Sequence, residues 1–365
     1  MMYKKIVLSY IKILVSILLV FFGVIYVSDP YRLFHNHWMH SGKIYNNFRI
    51  QNYSIAKYYD FDGVIMGTSM MENMSGKLAG ERLGGNWANL SMSAATYLEK
   101  ATVLKHVMHY RDIRHVIISL DMKFESANAV NNTFDMDLYV GRDTNLVKLR
   151  QYTNRKALRC IFLGRRCNFL DGDLDRPNAW MHNKSHMRRF GGFENWLKYV
   201  HDDSQVRGAF DVLLGRVDNV ELAASMRDFD LGADEIIKKL LVPLVADNPN
   251  VQFEFVIPPY SALYWASGLD GFDRKMNIWA GIVRALDGFE NARVYWMYDN
   301  ALVFDVANYK DLTHYHPSVN DMMVDMIAGR RCVVDSENID AKISEFRRKL
   351  EHFDGEFYIK QIPEY

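Results

Sequence analysis

Two short stretches hold the residue types that nucleophilic acyl chemistry needs. Gly67-Thr68-Ser69 follows the short apolar run 62–66 (DGVIM), and a sharp turn there lifts a serine hydroxyl to the end of a strand. Asp311-Leu312-Thr313-His314 lies near the other end of the chain. A carboxylate three residues ahead of a histidine can hold the imidazole by one nitrogen and leave the other free to take a proton from a serine. Each stretch also has a plainer reading: Ser69 as the N-cap of the helix after it, and Asp311 as a turn cap beside an exposed histidine. His316 is a second imidazole close by that could rival His314 as the base.

The elements around these stretches alternate. Residues 62–66, 87–92, 115–120 (HVIISL), 251–257 (VQFEFVI) and 293–297 have the composition of short buried strands. Helical spacing fills 69–83, 97–109, 220–246 (with a break before Pro243) and 273–286. Strands separated by helices predict an α/β fold, with a central parallel sheet covered on both faces and ligands at the carboxyl ends of its strands. Both chemical stretches fall at such ends. Tyr260, after Pro258-Pro259, closes a strand at the same edge. Residues 124–219 interrupt the alternation and read as a helical insertion over the site. There Trp180, His182, His186 and Trp196 would form an aromatic and imidazole wall for a sugar chain, or simply pack a surface subdomain.

The 365-residue chain is 49% hydrophobic and 24% charged, a mixture that folds into one large domain or two small ones. Lys+Arg and Asp+Glu balance at 44 each, so no net field favours nucleic acid. Three cysteines in no ligand spacing predict neither a disulfide framework nor a structural metal. Cys160 and Cys167 would bridge locally in an exported domain; two buried thiols is the blander reading.

Residues 13–27 form an uncharged apolar run behind Lys4 and Lys5, long enough with its extension through residues 6–11 to span a bilayer. The positive-inside tendency then places everything after Asp29 outside the cytoplasm. Without an A-x-A cleavage site, the run reads as an uncleaved signal anchor of a bacterial inner-membrane protein. The expected organisation is an anchor at 1–28, a membrane-proximal collar at 29–60, the α/β domain at 61–330 and a C-terminal helix and tail at 331–365.

A serine after the first strand of the domain and D-x-x-H after its last is also the block order of SGNH hydrolases, and this chain resembles that superfamily. Asn89-Leu-Ser-Met-Ser-Ala94 corresponds to its second block, with alanine for the usual glycine. The third block reads Ser119-Leu-Asp121-Met-Lys123, with a carboxylate in place of the usual oxyanion-binding asparagine. The resemblance is to the membrane-anchored branch, similar to alginate O-acetylation and teichoic-acid D-alanylation proteins. It implies a three-layer sandwich and a cofactor-free serine acyltransferase or esterase acting on acyl, chiefly acetyl, esters of a cell-surface polysaccharide, served by a membrane acyl-donor protein. Ser69, Asp311 and His314 would be the triad, with the Ser69 and Ala94 N–H groups on the oxyanion; Lys123 would be a third donor whose cation offsets Asp121, or simply form an exposed salt bridge with it. Tyr260, Trp180, His182 and Trp196 would touch substrate. A silent domain of the same fold, binding polysaccharide or scaffolding an export complex, is the alternative.

Overall fold

The computed structural model describes residues 2–36, 38–39, 42–122, 124, 128–141, 144–164, 167–216, 233–266 and 271–365. The strands, in chain order, are β1 (Lys43–Tyr45), β2 (Gly63–Met66), β3 (Trp87–Asn89), β4 (His115–Ser119), β5 (Phe169–Asp171), β6 (Gln252–Ile257), β7 (Ala292–Trp296) and β8 (Val333–Val334). The chain forms two compact units, Met1–Tyr59 with Asn132–Asp173, and Asp60–Asn131 with Leu174–Tyr365.

The second unit is the α/β body. Its sheet runs β3-β2-β4-β6-β7-β8, parallel throughout except for the antiparallel β8. Strands buried on both faces read as continuous apolar runs, which is why β2 and β4 are legible as sequence. The helix Tyr97–Tyr110 starts at a capping box, Thr96 and Glu99 each bonding the other's backbone N–H. The helix Phe272–Leu286 buries Met276, Trp279 and Val283, and Trp279 joins Trp265, Trp296 and Tyr298 in an aromatic core. Of the helix expected over 220–246, Ala233–Ala246 is present with Pro243 inside it, and residues 217–232 lie outside the described set. The short β8 and the pair β1–β5 have no counterpart among the expected strands: two or three residues show too little alternation to be read.

The first unit holds β1 and β5 as an antiparallel pair and the 27-residue helix Met2–Ser28. That helix is long and apolar enough to cross a membrane and is exposed along nearly all of its length, as a signal or anchor would be. Asp29 follows it and accepts from the N–H of Leu33 (2.9 Å) and from the Tyr152 hydroxyl, fixing the turn. Cys160 and Cys167 are joined as a disulfide, which corrects the reading of two buried thiols. A disulfide points to an extracytoplasmic location.

Candidate active site

The sheet order places β2 between β3 and β4, so the chain leaves β2 on one side and returns on the other, and the loops after β2 and β4 part at that point. Ser69 follows β2 there. The helix expected from Ser69 begins later: residues 69–73 are turns, and the helix Gly76–Leu83 is capped by Ser75, whose hydroxyl accepts from Leu78 N–H. Ser69 therefore caps no helix. A Cβ on Gly67 would clash with the Met71 side chain and Ser119 Oγ, so only glycine allows the chain to turn this tightly beside β4.

Ser69 Oγ lies 2.9 Å from His314 Nε2, and His314 Nδ1 lies 2.9 Å from both oxygens of Asp311. The D-x-x-H loop is folded on itself. Asp311 Oδ1 accepts from the N–H groups of Thr313 and His314, Lys310 N–H donates to His314 O, and Tyr309 bridges Tyr315. Burial alone would raise the Asp311 pKa, but the His314 and Lys310 charges and the hydrogen bonds from His314 outweigh it, holding the carboxyl well below its usual range. Asp311 thus stays ionised and can orient the ring. His316 is occupied elsewhere, its Nδ1 accepting from Ser318 N–H at the start of the helix Pro317–Ala328.

Two carbonyls in the serine turn are clamped from afar. Trp180 Nε1 donates to Ser69 O (2.8 Å), while Tyr315 OH and Asn320 Nδ2 both donate to Met70 O (2.8 and 2.9 Å). The loop after β6 braces the histidine loop in turn, Ser261 Oγ donating to Leu312 O (2.6 Å) and Tyr309 OH to Pro259 O (2.9 Å). These positioning contacts carry no sequence signature, since each joins residues far apart in the chain.

The loop after β3 runs beside the serine turn, with Leu90 N–H on Ile65 O and Met92 N–H on Gly67 O. Asn89 Nδ2 binds the carbonyls of Met71 and Met74. Ala94 sits in this loop at φ +55°, a backbone state that glycine adopts without strain. Neither Ser69 N–H nor Ala94 N–H donates a hydrogen bond among the described residues.

Asp121, after β4, is 2% exposed and fully engaged: Lys100 Nζ lies 3.0 Å away, Thr68 Oγ1 donates at 2.7 Å, and Ser119 Oγ donates as well. Among the described residues its cation is Lys100; Lys123, expected to offset it, lies outside them. Lys100 gives no sign of this role in the sequence, because it sits in a helix remote from the third block. Burial lowers its pKa more than Asp121 raises it.

Of the residues expected to meet substrate, Trp180 is half-buried beside the histidine, edge to His314 at 6.0 Å, and His182 is exposed on the same short 3₁₀ turn. Two are corrected. Trp196 is fully buried, its indole N–H on Tyr309 O, and Tyr260 is 5% exposed, packed beneath Tyr264, so both rings serve packing. His186 backs the site. Burial first, then the charges of Lys310, Arg189 and His314, press its pKa down to about 4, and its Nδ1 meets the Arg189 guanidinium. Lys310, which no motif singles out, contacts Asp311 Oδ2 (3.2 Å) and lies over the Trp180 ring.

No protein-family model matches the chain, and no curated protein matches it.

Proposed function

We propose that this protein is a membrane-anchored serine acyltransferase or esterase of SGNH type, acting on acyl esters of an extracytoplasmic polysaccharide. The observation that carries the reading is the Asp311–His314–Ser69 relay, each link at 2.9 Å. Ser69 Oγ attacks the ester carbonyl and its proton passes to His314 Nε2, while Asp311 holds the ring and offsets the imidazolium charge. The Ser69 and Ala94 N–H groups take the oxyanion. Collapse expels the alcohol, which takes the proton from His314 and leaves an acyl-serine. A second alcohol or water, deprotonated by the same nitrogen, then frees Ser69. Transfer and hydrolysis differ only in that attacking group.

Asp121 does not oppose this chemistry as a free carboxylate would, because Lys100, Thr68 and Ser119 hold its oxygens. The polysaccharide assignment draws on Trp180 and His182 at the rim. The location outside the cytoplasm draws on the exposed apolar helix, read as an uncleaved anchor, and on the Cys160–Cys167 disulfide. A silent, polysaccharide-binding domain is the second reading, favoured by the missing block-three asparagine.

A fluorophosphonate probe on the detergent-solubilised full chain separates the two readings. Labelling that disappears in Ser69→Ala supports the enzyme; no labelling of the folded wild type supports the silent domain.

A further inference from the structure

The helix Arg155–Leu163 (RKALRCIFL) belongs to the same compact unit as the apolar N-terminal helix, and its surface is ill suited to water. Asn154 caps its start, Oδ1 accepting from Ala157 N–H (2.9 Å). Gly164 ends it at φ +57°, and the Cys160–Cys167 disulfide ties its last turn to the chain beyond. Ala157 and Cys160 face inward, yet Phe162 and Leu163 are 43% and 62% exposed. Arg155, Lys156 and Arg159 supply three cations within five positions. Basic residues combined with exposed large apolar ones on a short helix suit a membrane interface.

Depth follows from one contact. The Phe162 ring stacks on Phe21 of the N-terminal helix, centroids 5.1 Å apart and planes at 14°. Phe21 lies seven residues before Ser28, so at 1.5 Å per residue Phe162 is held roughly 10 Å back along the helix from its end. An interfacial helix buries its apolar face to about that depth, at the boundary of headgroups and acyl chains. Beyond that boundary, Tyr26 packs edge-on to Trp38, itself 62% exposed, as aromatics at a membrane surface do. An open hollow of about 410 Å³ lies on the short helix, lined by Thr153, Arg155, Leu158, Arg159, Phe162 and Leu163. The hollow's wall is almost wholly apolar and two of its lining residues carry guanidinium groups, a combination that matches the first carbons of lipid chains with a phosphate beside them.

We propose that Arg155–Leu163 is a second, non-spanning membrane contact that binds anionic phospholipid in the leaflet where the N-terminal helix ends. Phe162 and Leu163 sit among acyl chains, and Arg155 and Arg159 hold the phosphate. This rests on the reading of Met2–Ser28 as a membrane span, and the test separates the two.

Benzoylphenylalanine is placed at position 163 or, separately, at position 20, whose valine is 67% exposed on the N-terminal helix. Each full-length protein is reconstituted into nanodiscs of radiolabelled phosphatidylcholine, with or without phosphatidylglycerol, and irradiated. Both positions should acquire lipid, and position 163 should do so several-fold more with phosphatidylglycerol present. Lipid at 20 but none at 163 overturns the second contact and leaves the span intact; none at either overturns the span. Equal yields at 163 in the two lipid mixtures overturn the headgroup assignment. In R155E/R159E the gain from phosphatidylglycerol at 163 should vanish, while the yield at 20 stays unchanged.

Discussion

Lys100 Nζ lies 3.0 Å from Asp121 Oδ2, and both side chains are withdrawn from solvent. Asp121 stands where the resemblance would place a neutral amide, and the chain holds two opposite charges there instead. Removing one partner of a buried pair leaves the other uncompensated, at about 3–5 kcal/mol. Lys100→Met and Asp121→Asn should each lose on that order in denaturant unfolding, whereas the double variant should recover most of the loss. Additive costs would show that the two do not act as a pair.

Ser69→Ala and His314→Ala should each remove nearly all release of acyl groups from a chromogenic ester, and combining them should add little. Asp311→Asn should leave the fold intact and lower kcat by as much as about 10⁴-fold, since it disturbs the histidine tautomer. Turnover by Ser69→Ala at the wild-type rate would end the enzyme reading.

Ala94 carries a side chain at φ +55°. The left-handed backbone penalises a Cβ by about 1–2 kcal/mol, partly offset by the greater entropy glycine loses on folding. Ala94→Gly should therefore raise stability by about 0.5–1 kcal/mol in chemical denaturation, with ester turnover retained. A loss of stability would place the strain elsewhere.

Gly67→Ala tests the tight turn directly. The new methyl would press on Met71 and on Ser119 Oγ, which also holds Asp121. The variant should melt at a lower temperature and lose labelling at Ser69. Wild-type melting and labelling together would mean that the turn relaxes freely.

His186 is held neutral: burial, then Lys310 and Arg189, depress its pKa from 6.5 to about 4. On acidification the unfolded chain takes up this proton first, so the associated stability is full above pH 6.5 and is lost as pH falls toward 4. The Asp311 contribution, from a carboxyl held below its ordinary 3.8, disappears only at still lower pH. The melting temperature of His186→Gln should fall less between pH 7 and pH 4.5 than that of the wild type. Identical slopes would remove His186 as the source.

The sheet is legible in the sequence because β2 and β4 are near-continuous apolar runs and β6 is rich in aromatic and β-branched residues, and Ser69 and His314 are legible because each sits in a short motif, Gly-Thr-Ser after β2 and Asp-x-x-His before the helix Pro317–Ala328. What stays hidden is pairing at a distance. Lys100 looks like any helical lysine until Asp121 is placed beside it, and Trp196 looks like Trp180 until burial separates them. Cys160 and Cys167, seven positions apart, fit a bridge or two thiols equally well on spacing alone.

The first compact unit is written in two instalments, Met1–Tyr59 and Asn132–Asp173, with β2, β3 and β4 of the other unit between them. During synthesis β1 must wait for β5 while three strands of the neighbouring sheet emerge. The order of manufacture is nested rather than sequential. No single cut therefore separates the units: a fragment starting at Asp60 would carry β5 without β1, and its edge would be open to the wrong strand. Isolating the sheet unit takes removal of 1–59 together with a short loop spliced across 132–173; a truncation alone does not achieve it.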